Sequence, residues 1–221
     1  MYFVPDTIQF FKELAANNHK EWFDDNRKRY EEVVKKPFYS LVRDVIREVS
    51  HFEPNTEPEV KNSVFRINRD IRFSKDKSPY KLHVAAVVGE GGRKALERPG
   101  LYFHLGIGES FIGGGAYELS KPSLDRARHY LANHSSEARK ILSEDSFQKT
   151  YGELRGEENK ILPSELKEAG NDFPLIYKKQ FYYMDMIDDE NFMTRPDLLK
   201  VIMDHYHAGR PWNQFIRKAL Q

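Results

Sequence analysis

Leu101-Tyr102-Phe103-His104-Leu105-Gly106-Ile107-Gly108-Glu109-Ser110-Phe111-Ile112 reads as two short strands around a turn. Aromatic and aliphatic side chains fill both flanks, and the two glycines between them give the backbone freedom of a hairpin. Working outward, residues 83–88, 64–73 and 181–186 have the same apolar, β-forming character. Consecutive strands with short connections predict an antiparallel sheet rather than repeated strand–helix–strand units. Helical sequence flanks this sheet. Pro5-Asp6-Thr7 opens a helix bearing Ile8, Phe11 and Leu14, and Asn18 with Glu21 has the spacing of a capping box for a second. Pro37 starts a third, with Phe38, Leu41, Val42, Val45, Ile46 and Val49 on its buried stripe. Beyond the sheet, Ser120 with Pro122 opens a helix toward His134, and Ser135 or Ser136 caps the next. Thr194 with Pro196 opens another through Tyr206, and Gly209-Arg210-Pro211 ends it before a terminal helix carrying Trp212, Phe215 and Ile216. The expected fold is α+β: one domain over residues 1–221, a mainly antiparallel sheet packed with N-terminal and C-terminal helices.

The 221 residues carry 35 cations and 34 anions, a net charge of +1. That balance argues against a basic coat for sequence-independent nucleic-acid binding and leaves room only for a local patch. There is no cysteine, which excludes disulfides, thiolate metal sites and cysteine nucleophiles. The histidines are scattered, with no His-Glu-x-x-His run and no acidic ligand cluster, so neither a metal nor a cofactor is expected. No window approaches 18 uninterrupted apolar residues, and Met1-Tyr2-Phe3-Val4-Pro5-Asp6 has neither the basic start nor the apolar stretch of a signal peptide. The expectation is a cytoplasmic protein with no membrane contact.

Between Phe65 and Lys81 the charge balance fails. Arg66, Arg69, Arg72, Lys75, Lys77 and Lys81 face only Asp70 and Asp76, a local excess larger than the net charge of the whole chain. As a strand, this stretch puts Phe65, Ile67, Ile71 and Phe73 on a core face and Arg66, Asn68, Asp70 and Arg72 on the other. Arg66 and Arg72 are then expected to converge on an open concavity. Arg69 falls in phase with the core residues, so either a carboxylate meets it or a bulge turns it outward.

The run Arg72-Phe73-Ser74-Lys75-Asp76-Lys77-Ser78-Pro79-Tyr80-Lys81 closely resembles the signature of the bacterial domain-of-unknown-function family 2461, whose members are conserved hypothetical proteins. The resemblance extends through Asn17-Asn18, Trp22-Phe23, Asn26 and Arg29-Tyr30, through the glycine-bearing hairpin ending in Gly113-Gly114-Gly115, and through Arg210-Pro211 with Phe215 and Ala219-Leu220. It implies identity and one-domain extent, and it supplies no mechanism.

The chemistry must therefore come from the residues. Arginine forks and lysines on a strand and its loop suit a small anionic ligand, a phosphate-bearing one included. The expected binding set is Arg66, Arg69, Arg72, Lys75, Lys77, Tyr80 and Lys81, with Gly113 and Gly114 offering backbone amides as an anion nest. His104 shares a strand face with Tyr102 and is the best general-base candidate, and Asp70 is the other candidate proton carrier. These residues do not decide between an enzyme and a binding protein. Two alternatives use the same patch: a nucleic-acid-end binder, and an interaction or scaffold protein whose motif is only an ion-pair network.

Overall fold

The computed structural model describes all 221 residues. Helix α1 (Pro5–Ala16) begins with proline in its first turn and buries Ile8, Phe10, Phe11 and Leu14. Next come α2 (Lys20–Asp25), α3 (Arg27–Tyr30), a π-helical turn (Glu31–Lys35) and α4 (Lys36–Ser50). The widened turn has a local cause. Pro37 has no N–H to give the Val33 carbonyl, and its ring crowds that carbonyl. The buried Thr7 hydroxyl donates to Val33 O instead, at 2.7 Å, and so ties α1 to the turn. The expected stripe of α4, Phe38 through Val49, is buried.

After the short α5 (Val60–Ser63), four strands form one antiparallel sheet in the order β1-β2-β3-β4: β1 (His83–Val88), β2 (Gly100–Gly106), β3 (Ser110–Ala116) and β4 (Phe181–Ile187). Between β3 and β4 lie α6 (Lys121–Asn133), α7 (Ser135–Leu142), α8 (Asp145–Thr150) and α9 (Lys167–Asp172), and α10 (Leu198–Ala219) closes the chain. The fold is α+β, as expected. Val84, Ala86, Val88, Leu101, Phe103, Leu105 and Ile112 bury the first apolar cluster with α1 and α4. Phe181, Tyr183 and Ala116 bury the second with the helices between β3 and β4. α10 feeds both clusters, with Ile202 and Tyr206 in the first and Trp212 and Phe215 in the second. No helix is long and apolar enough to cross a membrane.

Three expectations are corrected. Residues 64–73 are not a strand of the sheet. Val64 makes one isolated bridge to Ala86, and the chain then leaves the edge of β1. Ile67 is buried, but Phe73, expected in the core, is 94% exposed. Alternating apolar residues imitate a strand, and here no sheet edge continues far enough to pair them. The Gly209-Arg210-Pro211 break is absent, and α10 runs through it with Pro211 inside the helix. Burial of Ala208, Trp212, Phe215 and Ile216 on either side outweighs the local penalty. Finally, α2 is capped by His19 rather than Asn18, with Trp22 N donating to His19 Nδ1.

Candidate functional site

Residues 65–81 form an arm rooted on the edge of β1. Phe65 N donates to Ala85 O, Lys81 N to Ile67 O and Arg69 N to Pro79 O, each at 2.9 Å. Tyr80 anchors the root. Its ring stacks on Phe23 with centroids 4.0 Å apart, and the Asn18 amide bonds both its N–H, at 3.1 Å, and its carbonyl, at 3.0 Å. Asn18 is thus spent on the arm rather than on a helix cap. Tyr80, expected among the ligand residues, is buried in the core.

Further out, the arm uses up much of its own charge. Arg69, with its side chain 27% exposed, pairs with Asp76 and donates to Ser78 O at 3.2 Å and Ser74 Oγ at 3.4 Å. A carboxylate meets it, although the strand from which that expectation was drawn does not form. Asp76 also accepts from Ser78 Oγ at 2.7 Å and Ser78 N at 2.9 Å, and these bonds with Arg69 hold its pKa at about 2. Arg72 grips Asp70 with two bonds of 2.9 and 2.7 Å, and with nearby Arg66 it lowers the Asp70 pKa to about 2. A carboxylate so firmly ionised is a poor proton carrier at neutral pH. Lys77 Nζ donates to Ile71 O at 2.9 Å. Arg66, Lys75 and Lys81 make no side-chain hydrogen bond or ion pair, and Lys81 lies over the Phe65 ring. Arg72 does not converge with Arg66 as expected, because it is turned onto Asp70.

The brace around Arg69 is testable. Arg69→Met should shift stability by less than about 1 kcal/mol, since half-exposed pairs contribute little, yet it should loosen the tip. Limited trypsin digestion is expected to cut after Lys75 or Lys77 several-fold faster than in the parent protein. Unchanged cleavage would show that the tip holds its shape without Arg69.

At the root of the arm the sheet presents its outward face. β1 pairs with β2 so that His83 opposes Gly106 and Ala85 opposes His104, which makes His83 and His104 diagonal neighbours. Their ring centroids are 3.5 Å apart. Phe111 stacks on His104 at 4.5 Å and on Tyr102 at 5.4 Å, Phe65 lies 6.0 Å from Tyr102, and Lys81 Nζ stands 5.8 Å above the Phe65 ring. None of His83, Tyr102, His104 and Phe111 belongs to either buried cluster. No hydrogen bond or ion pair joins Arg66, Lys81, His83 or His104 to a carboxylate; Asp70, near Arg66, is held by Arg72. Burial and then Arg66 lower the Lys81 pKa. Burial, His104 and Lys81 push His83 down to about 3, and burial and Lys81 push His104 to about 4. Both imidazoles are neutral at pH 7. His104 is 6% exposed, and its Nε2 meets no donor or acceptor of the chain.

The glycines play another part than the one expected. Gly113 and Gly114 lie inside β3, paired on both sides with β2 and β4, so their backbone belongs to the ladder rather than to an anion nest. A side chain at Gly114 would run into Gly100 O and the Tyr183 ring. Sequence reasoning also passed over His83, Tyr102 and Phe111 as site residues. The signal that could have found His83 is the β1–β2 register, which a connection of eleven residues, 89–99, does not fix.

Fold and site together define an α+β protein with an antiparallel sheet, helices packed on its apolar side, and unshared cations and imidazoles on the other. The chain belongs to the family of conserved hypothetical proteins DUF2461, whose family model matches residues 6–215. No curated protein and no solved structure matches it.

Proposed function

We propose that the protein binds a small phosphate-bearing ligand on the outward face of its sheet, with Arg66, Lys81 and His83 at the anion and His104 behind His83. One observation carries this reading: Arg66, Lys81, His83 and His104 stand together at the root of the arm and none makes a hydrogen bond or ion pair with a carboxylate, since Asp70, the acid near Arg66, is gripped by Arg72. At pH 7 the charges here are those of the exposed Arg66 and the partly buried Lys81, and a buried cation beside a like charge is costly without a partner. Burial first, and Arg66 second, lower the Lys81 pKa, and an anion would offset both. An unpaired buried ring nitrogen such as His104 Nε2 costs on the order of 1–3 kcal/mol. Its place behind His83 makes it a second proton acceptor when an anion arrives. Lys75 and Lys77 extend the positive field along the arm, while Arg69 with Asp76 and Arg72 with Asp70 hold its shape. A pure scaffold role fits Arg69 and Arg72, whose charges are spent inside the chain. It leaves Arg66, Lys75 and Lys81 without a purpose.

The test is calorimetric titration with inorganic phosphate and with sulfate, whose charge is constant over the range, between pH 7.5 and 5.5. The histidines of the free protein titrate at about 3 and 4. An anion beside them favours the imidazolium and raises those values, so the complex holds more protons than the free protein. Binding therefore tightens as pH falls, by at most about tenfold per pH unit for one proton taken up. His83→Gln should flatten the pH dependence, and Lys81→Ala should weaken binding about tenfold at every pH. Anion binding that is absent, or unmoved by Lys81→Ala, would overturn the assignment.

A further inference from the structure

The arm ends in a feature the phosphate site does not use. Phe73 is the most exposed large apolar side chain in the protein, at 94%. The chain around it is not loose. Asp76 is bonded by Arg69 and by both donors of Ser78, Lys77 closes onto Ile71 O, and Arg72, gripping Asp70, places its guanidinium 5.8 Å over the Phe73 ring. The common effect of these groups is to fix a tip that holds one aromatic ring in solvent beside Arg72. A contact surface ordered before binding loses less entropy on association.

From this tip, cations lead back to the phosphate site: Lys75 and Lys77 at the tip, then Arg66 and Lys81 at the root. Residues 67 and 73 are at most about 20 Å apart at ~3.3 Å per residue. A row of cations ending in an exposed aromatic ring matches a polyanion with planar groups along it, in which phosphates meet the cations and a base stacks on the ring. Resting on the phosphate reading, we infer that the ligand is the phosphorylated end of a single-stranded nucleic acid. Its terminal phosphate sits at Arg66, Lys81 and His83, and Phe73 stacks on a base further along the strand. The near-zero net charge of the chain agrees with capture of an end rather than of a long stretch.

The experiment compares a fluorescent oligothymidylate of about six nucleotides, with and without a 5′-phosphate or a 3′-phosphate, against inorganic phosphate and vesicles of anionic lipid. One of the phosphorylated strands is expected to bind more tightly than the unphosphorylated strand, with a marked salt dependence. Phe73→Ala should weaken oligonucleotide binding about tenfold, the low end of base–aromatic stacking, and leave inorganic phosphate binding unchanged. Lys81→Ala should weaken both. Because Phe73 touches no core residue, its variant is expected to melt like the parent. If phosphate binds but a terminal phosphate and Phe73 make no difference to the strand, this inference falls and the phosphate site stands. If the strand binds regardless of phosphorylation and inorganic phosphate does not bind, both fall. Loss of vesicle binding in Phe73→Ala with no loss of strand binding would overturn the inference in favour of a lipid surface.

Discussion

Gly209→Ala is expected to destabilise the protein by about 2–3 kcal/mol, where helix propensity alone predicts a gain of nearly 1 kcal/mol. Gly209 lies inside α10, and a methyl group there would overlap the Tyr183 hydroxyl and ring. Tyr183 cannot move aside. It is buried, its hydroxyl donates to Asn213 Oδ1 at 3.0 Å, and Phe147 and Tyr151 flank its ring with centroids at 5.5 and 4.4 Å. Asn213 is itself fixed by donating to Gly100 O at 3.3 Å. The contact between α10 and the sheet is thus built around one phenol, and Gly114 of β3 clears its other side. For a chain of this length the loss corresponds to roughly 5–10 °C in melting temperature. In a Tyr183→Leu background the penalty should shrink, because the overlapping atoms are gone. A rise in melting temperature for Gly209→Ala alone would mean that α10 is free to shift along the sheet.

The same residues show what the sequence could reveal. The stripe of α4 and the hairpin of β2 and β3 are legible because their signals are local: apolar spacing in one, turn chemistry between two apolar runs in the other. Gly209 and Pro211 carry a local signal that is overruled, since the partner that makes a glycine necessary, Tyr183, lies 26 positions earlier on β4. The arm misleads in another way. Ile71 and Phe73 have the alternation of a strand, and only the absence of a sheet edge beside them separates tip from core. For the site, charge counting found the cations but could not sort them. Which are spent depends on how the arm folds back, bringing Asp76 to Arg69 and Asp70 to Arg72. Which are free depends on the sheet face beside them, where strand register makes neighbours of His83 and His104.

Glu53→Ala should cost about 3 kcal/mol, and the reason separates a structural ion pair from a second candidate site. Glu53 is 8% exposed; it accepts from Arg217 Nη2 at 2.7 Å and from the Tyr206 hydroxyl at 3.0 Å. Arg217 also donates to Pro99 O at 3.2 Å, so the cluster ties the segment after α4, the entry to β2 and the end of α10 together. The two residues help line a cavity of about 110 Å³ with Phe52, Thr56 and Glu90. A cavity holding an arginine invites assignment as an anion site, but here the guanidinium already has its carboxylate, and Glu90 on the wall is paired with Arg98 at 2.6 Å. Removing Glu53 strands a largely buried cation, which carries most of the expected cost. Replacing both partners, Glu53→Leu with Arg217→Met, leaves no charge unpaired and should recover at least half of it. Thermal melts of the single and double variants test the pairing. Phosphate titration of the double variant tests the assignment: if the anion binds at the root of the arm, affinity is unchanged, whereas its loss would move the site to Arg217.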